Sequence, residues 1–117
     1  SLTNADATIN DLNVDLIREY LSQTSDREIM GTLDKTQMAK SLGLLDKNDP
    51  TEKKIKNFAV LMFVDKPEKY IGYSYVEVIV DMFGTKRKME SKCFKGPIWK
   101  QYYTIVNYIR YWGQNHK

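Results

Sequence analysis

The residue types that carry most enzyme chemistry are scarce in this chain. Its single histidine, His116, stands next to the end of the sequence, and its single cysteine, Cys93, lies in a predicted strand with no histidine close in sequence. A histidine near a terminus is usually exposed, and a cysteine that shares a strand face with Met89 is typical of a buried, inert thiol. These interpretations exclude most metal sites and most nucleophile–histidine–acid sites.

Two carboxylates, Glu77 and Asp81, share one face of a predicted strand, where they could form an acid–base pair. Their separation along the strand is ~13 Å, which is too long for the two carboxylates to act together as an acid–base pair. Ion pairs with Lys or Arg across a hairpin are the favoured alternative. The sequence also lacks a P-loop, a G-x-G-x-x-G loop, a C-x-x-C pair and an H-E-x-x-H helix. No catalytic, cofactor-binding or metal-binding residue is therefore predicted.

Basic side chains cluster around a predicted hairpin and give the strongest candidate for a binding site. On such a ribbon, Lys and Arg bind phosphates while neighbouring tyrosines stack on bases. The alternative is an edge strand whose lysines prevent aggregation. Tyr73 and Tyr75 are available for stacking, and the candidate nucleic-acid-binding residues are Lys86, Arg87, Lys88, Lys92, Lys95 and Lys100.

Three segments have the spacing or the end signals of helices. Residues 13–23 carry two apolar rows at helical spacing. Residues 35–42 follow Asp34, and Gln37 is placed to complete a capping box. Residues 97–112 form the longest predicted helix, and we expect the core to cover at least part of its apolar stripe, which comprises Ile98, Tyr102, Ile105, Ile109 and Trp112.

Three segments are predicted strands. Residues 57–64 form a nearly continuous apolar run whose length favours a buried strand over a helix. Residues 73–83 alternate in polarity, and residues 86–94 follow a glycine-containing turn, so together they predict a β-hairpin. Residues 1–11 are interpreted as a linker or a tag-derived lead-in.

The order of these elements predicts a single α+β domain over residues 12–113. In this fold, a small, mostly antiparallel sheet of about three strands, including the hairpin over 73–94, is packed by two N-terminal helices and one long C-terminal helix. The 117 residues suffice for one domain with its own core. Because the chain starts with small polar residues and no methionine, we expect it to be a fragment of a longer protein.

Composition and charge narrow the predictions of the cellular compartment and of the classes of binding partner. No apolar run approaches the ~20 residues of a membrane span, and a single cysteine is typical of a cytoplasmic protein. Residues 1–50 carry a net charge of −4, and residues 51–117 carry +7. The basic part could face nucleic acid, an acidic partner or water. The tyrosines of the last predicted helix could likewise form an interface.

Several stretches resemble, in this order, those of one bacterial family. They are Asp11–Asn13 with Leu16–Leu21, Leu42–Asp46, Lys56–Phe63, Asp65–Tyr70 and Phe94–Ile98. The family is the Schlafen-like predicted transcriptional regulators, often described as RecG-related ATP-dependent DNA helicases or DNA-binding proteins. The resemblance covers about residues 11–112, and it departs from the family pattern at Val64, where a glycine is usual.

The resemblance implies a place within a larger protein. In such regulators an Alba-type DNA-binding domain precedes this segment, and a GHKL-like ATP-binding region usually follows it. A middle domain without a cofactor of its own is therefore implied, in a parent protein that could bind ATP. The implied partners are neighbouring domains of the same chain, DNA, or a second copy, with no membrane.

Three hypotheses follow for function. The first is a non-catalytic connecting domain of a cytoplasmic, DNA-binding transcriptional regulator. The second is direct binding of nucleic acid through the basic hairpin. The third is a part of an ATP-dependent enzyme that is completed only in the full-length protein.

Overall fold

Helices and antiparallel strands make up the computed structural model, which describes residues 2–23, 33–81, 84 and 89–115. Within these residues the predicted α+β class is confirmed. The elements are strand β1 (Thr3–Thr8), a 3-10 turn (Ile9–Asp11), helices α1 (Val14–Leu21) and α2 (Lys35–Ser41), strand β2 (Lys54–Lys56), helix α3 (Asn57–Phe63), a 3-10 turn (Pro67–Lys69), strands β3 (Val76–Asp81) and β4 (Met89–Phe94), and helix α4 (Ile98–Asn115).

The two predicted N-terminal helices form, and their caps follow from the sequence. Asn13 caps α1, and its side-chain oxygen accepts a hydrogen bond from the backbone N–H of Asp15 at 2.9 Å. Asp34 and Gln37 form the predicted capping box of α2, with side-chain to backbone distances of 2.8 and 3.0 Å. Both caps satisfy N–H groups that a helix start leaves unpaired.

The prediction that residues 1–11 are a linker is wrong, because β1 lies within them and pairs with β2. The Asn4 side chain accepts hydrogen bonds from the backbone of Asp6 and Ala7 and donates one to Asn57 at 3.0 Å. Ala7 is buried in the core. The strand was not predictable from local pattern, since its Asn, Asp and Ala residues have low β-propensity and its partner is about fifty residues away.

The prediction of a strand over residues 57–64 is also wrong, because residues 57–63 form helix α3. Its buried residues are Ala59, Val60 and Phe63, which share one helical face. A short apolar run fits either period, and here the helix packs against α1, β1 and β2. Tertiary packing therefore decides a case that periodicity leaves open.

One hydrophobic core joins the described elements between Ala7 and Val64. Ile17 of α1, Met38 of α2, Ile55 of β2 and Val60 of α3 have no exposed surface. From the C-terminal part of the chain, Trp99 alone among the described residues packs against this core, and it does so partly buried. The core thus belongs to the segment before the hairpin.

The strands form two separate antiparallel pairs within the described residues, where one sheet of about three strands was expected. The predicted hairpin is confirmed, with β3 and β4 in regular register from Val76 opposite Phe94 to Asp81 opposite Met89. The radius of gyration is 17.7 Å, whereas a compact chain of this length has about 13 Å. The molecule is therefore elongated.

A loop, residues 42–53, connects α2 to β2. The Asp49 carboxylate accepts hydrogen bonds from the Thr51 hydroxyl at 2.6 Å and from the backbone N–H groups of Lys54 and Lys53 at 2.8 and 3.0 Å. The Thr51 hydroxyl and these N–H groups hold the pKa of Asp49 far below its ordinary value. Both oxygens of this carboxylate accept hydrogen bonds from the loop, and these bonds hold the loop closed.

We expect Ile17→Ala to lower the free energy of unfolding by about 2–5 kcal/mol, because it leaves a cavity in the core. Ile79→Ala is the matched control, since Ile79 lies on the exposed face of the hairpin and should cost less than about 0.5 kcal/mol. Urea unfolding followed by circular dichroism measures both. Equal losses for the two variants would contradict this placement of the core.

Candidate interaction surface

Two parts of the molecule differ in how well they cover their apolar residues. We call residues 2–23 and 33–71 the body, and residues 73–81 and 89–115 the arm. The body contains the core, whereas the arm consists of the hairpin and α4. Of the arm's large apolar side chains, Phe94 is buried and many others are exposed.

Trp99 attaches the arm to the body. Its indole N–H donates a hydrogen bond to the backbone oxygen of Met62 at 2.8 Å, and its ring meets the edge of Tyr20 at a centroid distance of 5.7 Å. Beside it, Lys100 forms an ion pair with Glu19 of α1 at 2.8 Å. Because that pair is about half exposed, it adds at most about 1 kcal/mol. Trp99 therefore provides apolar packing on the body that the ion pair does not provide.

Gln101 joins the hairpin to α4. Its side-chain N–H₂ group donates hydrogen bonds to the backbone oxygens of Ser74 at 2.7 Å and Gly96 at 2.8 Å. The side chain is buried, with 4% of the residue exposed. Gly96 has a φ of +98°, in the left-handed region that glycine tolerates. These bonds set where the hairpin starts and where α4 begins.

Farther along, Tyr108 of α4 packs on the inner face of the hairpin. Its ring meets Phe94 at a centroid distance of 5.5 Å, its hydroxyl lies 3.3 Å from a carboxylate oxygen of Glu90, and the ammonium group of Lys92 lies 5.1 Å from its ring centroid. The register places the side chains of Val76, Val78 and Val80 on the same face. This face is the even-numbered one that the sequence predicts to be packed.

The apolar stripe of α4 is left largely uncovered, against the expectation that the core would cover part of it. Ile98, Tyr102 and Ile109 are exposed, whereas Ile105 and Trp112 are half-buried. Two residues off this stripe, Trp99 and Gln101, hold the helix in place. The predicted amphipathic pattern is present, but among the described residues the fold covers only Ile105 and Trp112 of the stripe, and each of them in part.

A groove of about 420 Å³ runs between this stripe and the start of the hairpin. Ser74 is one of its lining residues, and the Ser74 hydroxyl oxygen is buried without a hydrogen-bond partner among the described residues. An unsatisfied buried hydroxyl costs about 1–3 kcal/mol. The groove is lined by Leu61, Tyr73, Ser74, Tyr75, Val76, Ile98, Gln101, Tyr102 and Ile105.

The six predicted nucleic-acid-binding residues do not come together as one described site. Lys86, Arg87 and Lys88 lie outside the described residues. Lys92 lies over the rings of Phe94 and Tyr108, Lys100 is paired with Glu19, and Lys95 is exposed. Two of the three described cations therefore already have partners within the fold.

The other residues singled out by their chemistry are placed as follows. Cys93 is exposed, so the prediction of a buried thiol is wrong, because its strand face points away from α4. Glu77 and Asp81 stand opposite Cys93 and Met89, so the register places no Lys or Arg directly across from them. His116 lies outside the described residues.

In residues 2–23, 33–81, 84 and 89–115, no group of three His, Cys, Asp or Glu side chains lies close enough to hold a metal ion. Over the same part of the chain, none of the helices combines the length and apolar character needed to cross a membrane.

The residues that build this surface carried only weak signals in the sequence. Gln101 and Ser74 are ordinary polar residues, and neither type nor spacing marks them as buried. Trp99 lies next to the predicted stripe, and a large aromatic residue there was a usable sign of a contact. The groove itself required the crossing of α4 over the hairpin, which sequence reasoning did not supply.

We expect Gln101→Leu to lower stability by about 2–3 kcal/mol, because two backbone oxygens lose their donor. Hydrogen exchange should speed up in β3, which starts beside Ser74. The control is Gln114→Leu, an exposed position on the same helix, with an expected change within about 0.5 kcal/mol. If β3 exchange is the same in both variants, Gln101 does not hold the hairpin.

Comparisons with known proteins return no relative for this chain. A scan of protein-family models finds no match, and neither a search of curated proteins nor a search of solved structures finds one.

Proposed function

We propose that this chain is a non-catalytic connecting domain that packs its arm against another protein surface. The observation that carries the proposal is the large apolar surface of the arm, set beside a body in which Leu2 and Phe58 are the only exposed large apolar side chains among the described residues. Tyr73 is 93% exposed, Tyr102 63% and Ile109 55%. Contiguous apolar surface of this kind is typical of protein–protein contact sites.

The hairpin supports the proposal through its own marginal stability. A two-stranded hairpin is marginally stable in water and needs a packed face. Here Tyr108 covers part of the inner face, whereas Ile79 and Met89 on the outer face are more than half exposed. A partner that covers the arm would therefore stabilise it as well as bind it.

The resemblance to Schlafen-like regulators supports a specific setting for this role. In that family the corresponding segment lies between an Alba-type DNA-binding domain and an ATP-binding region. We place the chain as such a middle domain in a cytoplasmic, DNA-binding transcriptional regulator. ATP binding, if it occurs, belongs to the parent protein in this proposal.

The proposal predicts that the dye ANS, which binds exposed apolar surface, binds the arm of the dilute chain. Tyr102→Ser combined with Ile109→Ser should lower the ANS fluorescence roughly twofold, since both side chains belong to the exposed surface. Phe58→Ser is the control, because Phe58 is an exposed apolar residue of the body. Circular dichroism checks that the variants fold. Equal effects of arm and body variants would refute the proposal.

Direct nucleic-acid binding is the second candidate, favoured by the exposed Lys95 and by the +7 charge of residues 51–117. Because Lys92 and Lys100 have partners within the fold, we expect no salt-sensitive binding. Fluorescence anisotropy of labelled duplex and single-stranded DNA, at low and moderate salt, measures this.

The opposite result has a clear signature. Binding that falls steeply with added salt would replace the connecting role by direct nucleic-acid recognition. Lys95→Glu should then weaken it, whereas Lys47→Glu, an exposed lysine of the body, should not.

A further inference from the structure

We infer that the partner of the arm is a second copy of this chain, bound antiparallel along α4. The inference rests on the proposed function and names the occupant of the groove. In this arrangement the C-terminal half of one α4 lies in the other copy's groove, between α4 and the start of the hairpin. A two-fold axis then relates the two copies, as in most homodimers.

The spacing of the stripe indicates that its partner is a helix. The apolar positions 98, 102, 105, 109 and 112 follow each other at steps of four and three. This is the spacing at which two helices pack with knobs into holes along one seam. Most of these side chains are exposed in the single copy. A second α4 carries the same spacing on a face that is equally uncovered.

The charges permit two copies to meet. The chain carries a net charge of +3, which by itself opposes self-association. Yet Lys100 and Arg110 are the charged residues of α4, and both lie off the stripe and off the positions that flank it. Two such seams therefore meet without like charges facing each other.

The exposed area is sufficient for a dimer. Six side chains along the stripe and the groove are each between 37% and 93% exposed. With ~200 Å² for a large apolar side chain, they present roughly 600 Å² per copy. Two copies bring about 1,200 Å², the lower end of the range for specific interfaces. The six residues are Tyr73, Tyr75, Val76, Ile98, Tyr102 and Ile109.

The groove and the body favour the antiparallel direction. The groove lies beside the first half of α4 and is walled by Leu61 of the body. A parallel pair would bring both bodies to the same end of the seam. An antiparallel pair separates them, places each helix end against the other copy's groove, and aligns the two helix dipoles favourably. Ser74, a residue that lines the groove and whose hydroxyl has no partner among the described residues, would then lie beside the second chain.

Sedimentation velocity over a range of concentrations tests the inference. The unaltered chain should pass from monomer to dimer, with a matching fall in ANS fluorescence per chain. Ile109→Glu should raise the dissociation constant by about tenfold or more, because it places a charge in an apolar seam. Asn107→Glu is the matched control, since it adds the same charge to α4 away from the stripe and should leave the dimer intact.

Engineered disulfides test the direction, in a Cys93→Ser background. If two stripes overlap antiparallel, position 105 meets itself, whereas position 102 meets position 109. Ile105→Cys should therefore cross-link with itself, and Tyr102→Cys should cross-link with Ile109→Cys. Self-cross-linking of Tyr102→Cys that equals that of Ile105→Cys would overturn the antiparallel arrangement.

The two proposals fail in different ways. A chain that stays monomeric at all concentrations, or dimers that Ile109→Glu and Asn107→Glu weaken equally, would overturn the second-copy inference. Neither result bears on the ANS comparison of arm and body in the dilute chain, which decides the proposed function separately.

Discussion

The shape of the molecule depends on the contact that Trp99 of α4 makes with the body. The body buries most of its apolar residues by itself, through α1, α2, β2 and α3. The arm has no comparable core, and Trp99 is its one described side chain packed against that of the body. An indole offers both apolar area and a hydrogen-bond donor, so one residue supplies packing against Tyr20 and a bond to Met62. This contact holds the start of α4 on the body.

Trp99 holds the start of α4 on the body, and further along the helix two residues contact the hairpin. Gln101 holds the start of the hairpin, and Tyr108 covers the hairpin's inner face. Both residues lie on the side of α4 that faces the hairpin. The apolar stripe lies on a neighbouring side and is left to solvent. The same geometry therefore stabilises the arm and creates the surface that we propose as an interface.

A general consequence concerns basic residues near aromatic ones. From the sequence, Lys92 and Lys100 were candidates for binding phosphate. In the fold, their charges lie over Tyr108 and beside Glu19. A cation that is already held by a ring or a carboxylate must give up that partner to bind a phosphate, so its contribution to affinity is reduced. Lys95 is exposed.

Helix ends and the hairpin could be predicted because their signals are local. The caps at Asn13 and Asp34, and the alternation of β3, involve residues within a few positions of each other. Strand β1 and helix α3 could not be predicted in this way. The first depends on pairing with β2 far along the chain, and the second on a short apolar run that fits two periods.

For the candidate site, too, local features could be predicted from the sequence, whereas features that depend on distant contacts could not. By itself, the sequence determined that α4 is an amphipathic helix with an apolar stripe and that a hairpin precedes it. Only the tertiary structure decided that Trp99 and Gln101, rather than the stripe, anchor that helix, and that a groove forms beside Ser74. The reason is physical: periodicity states which side of an element is apolar, whereas the packing of distant elements states which apolar side is covered.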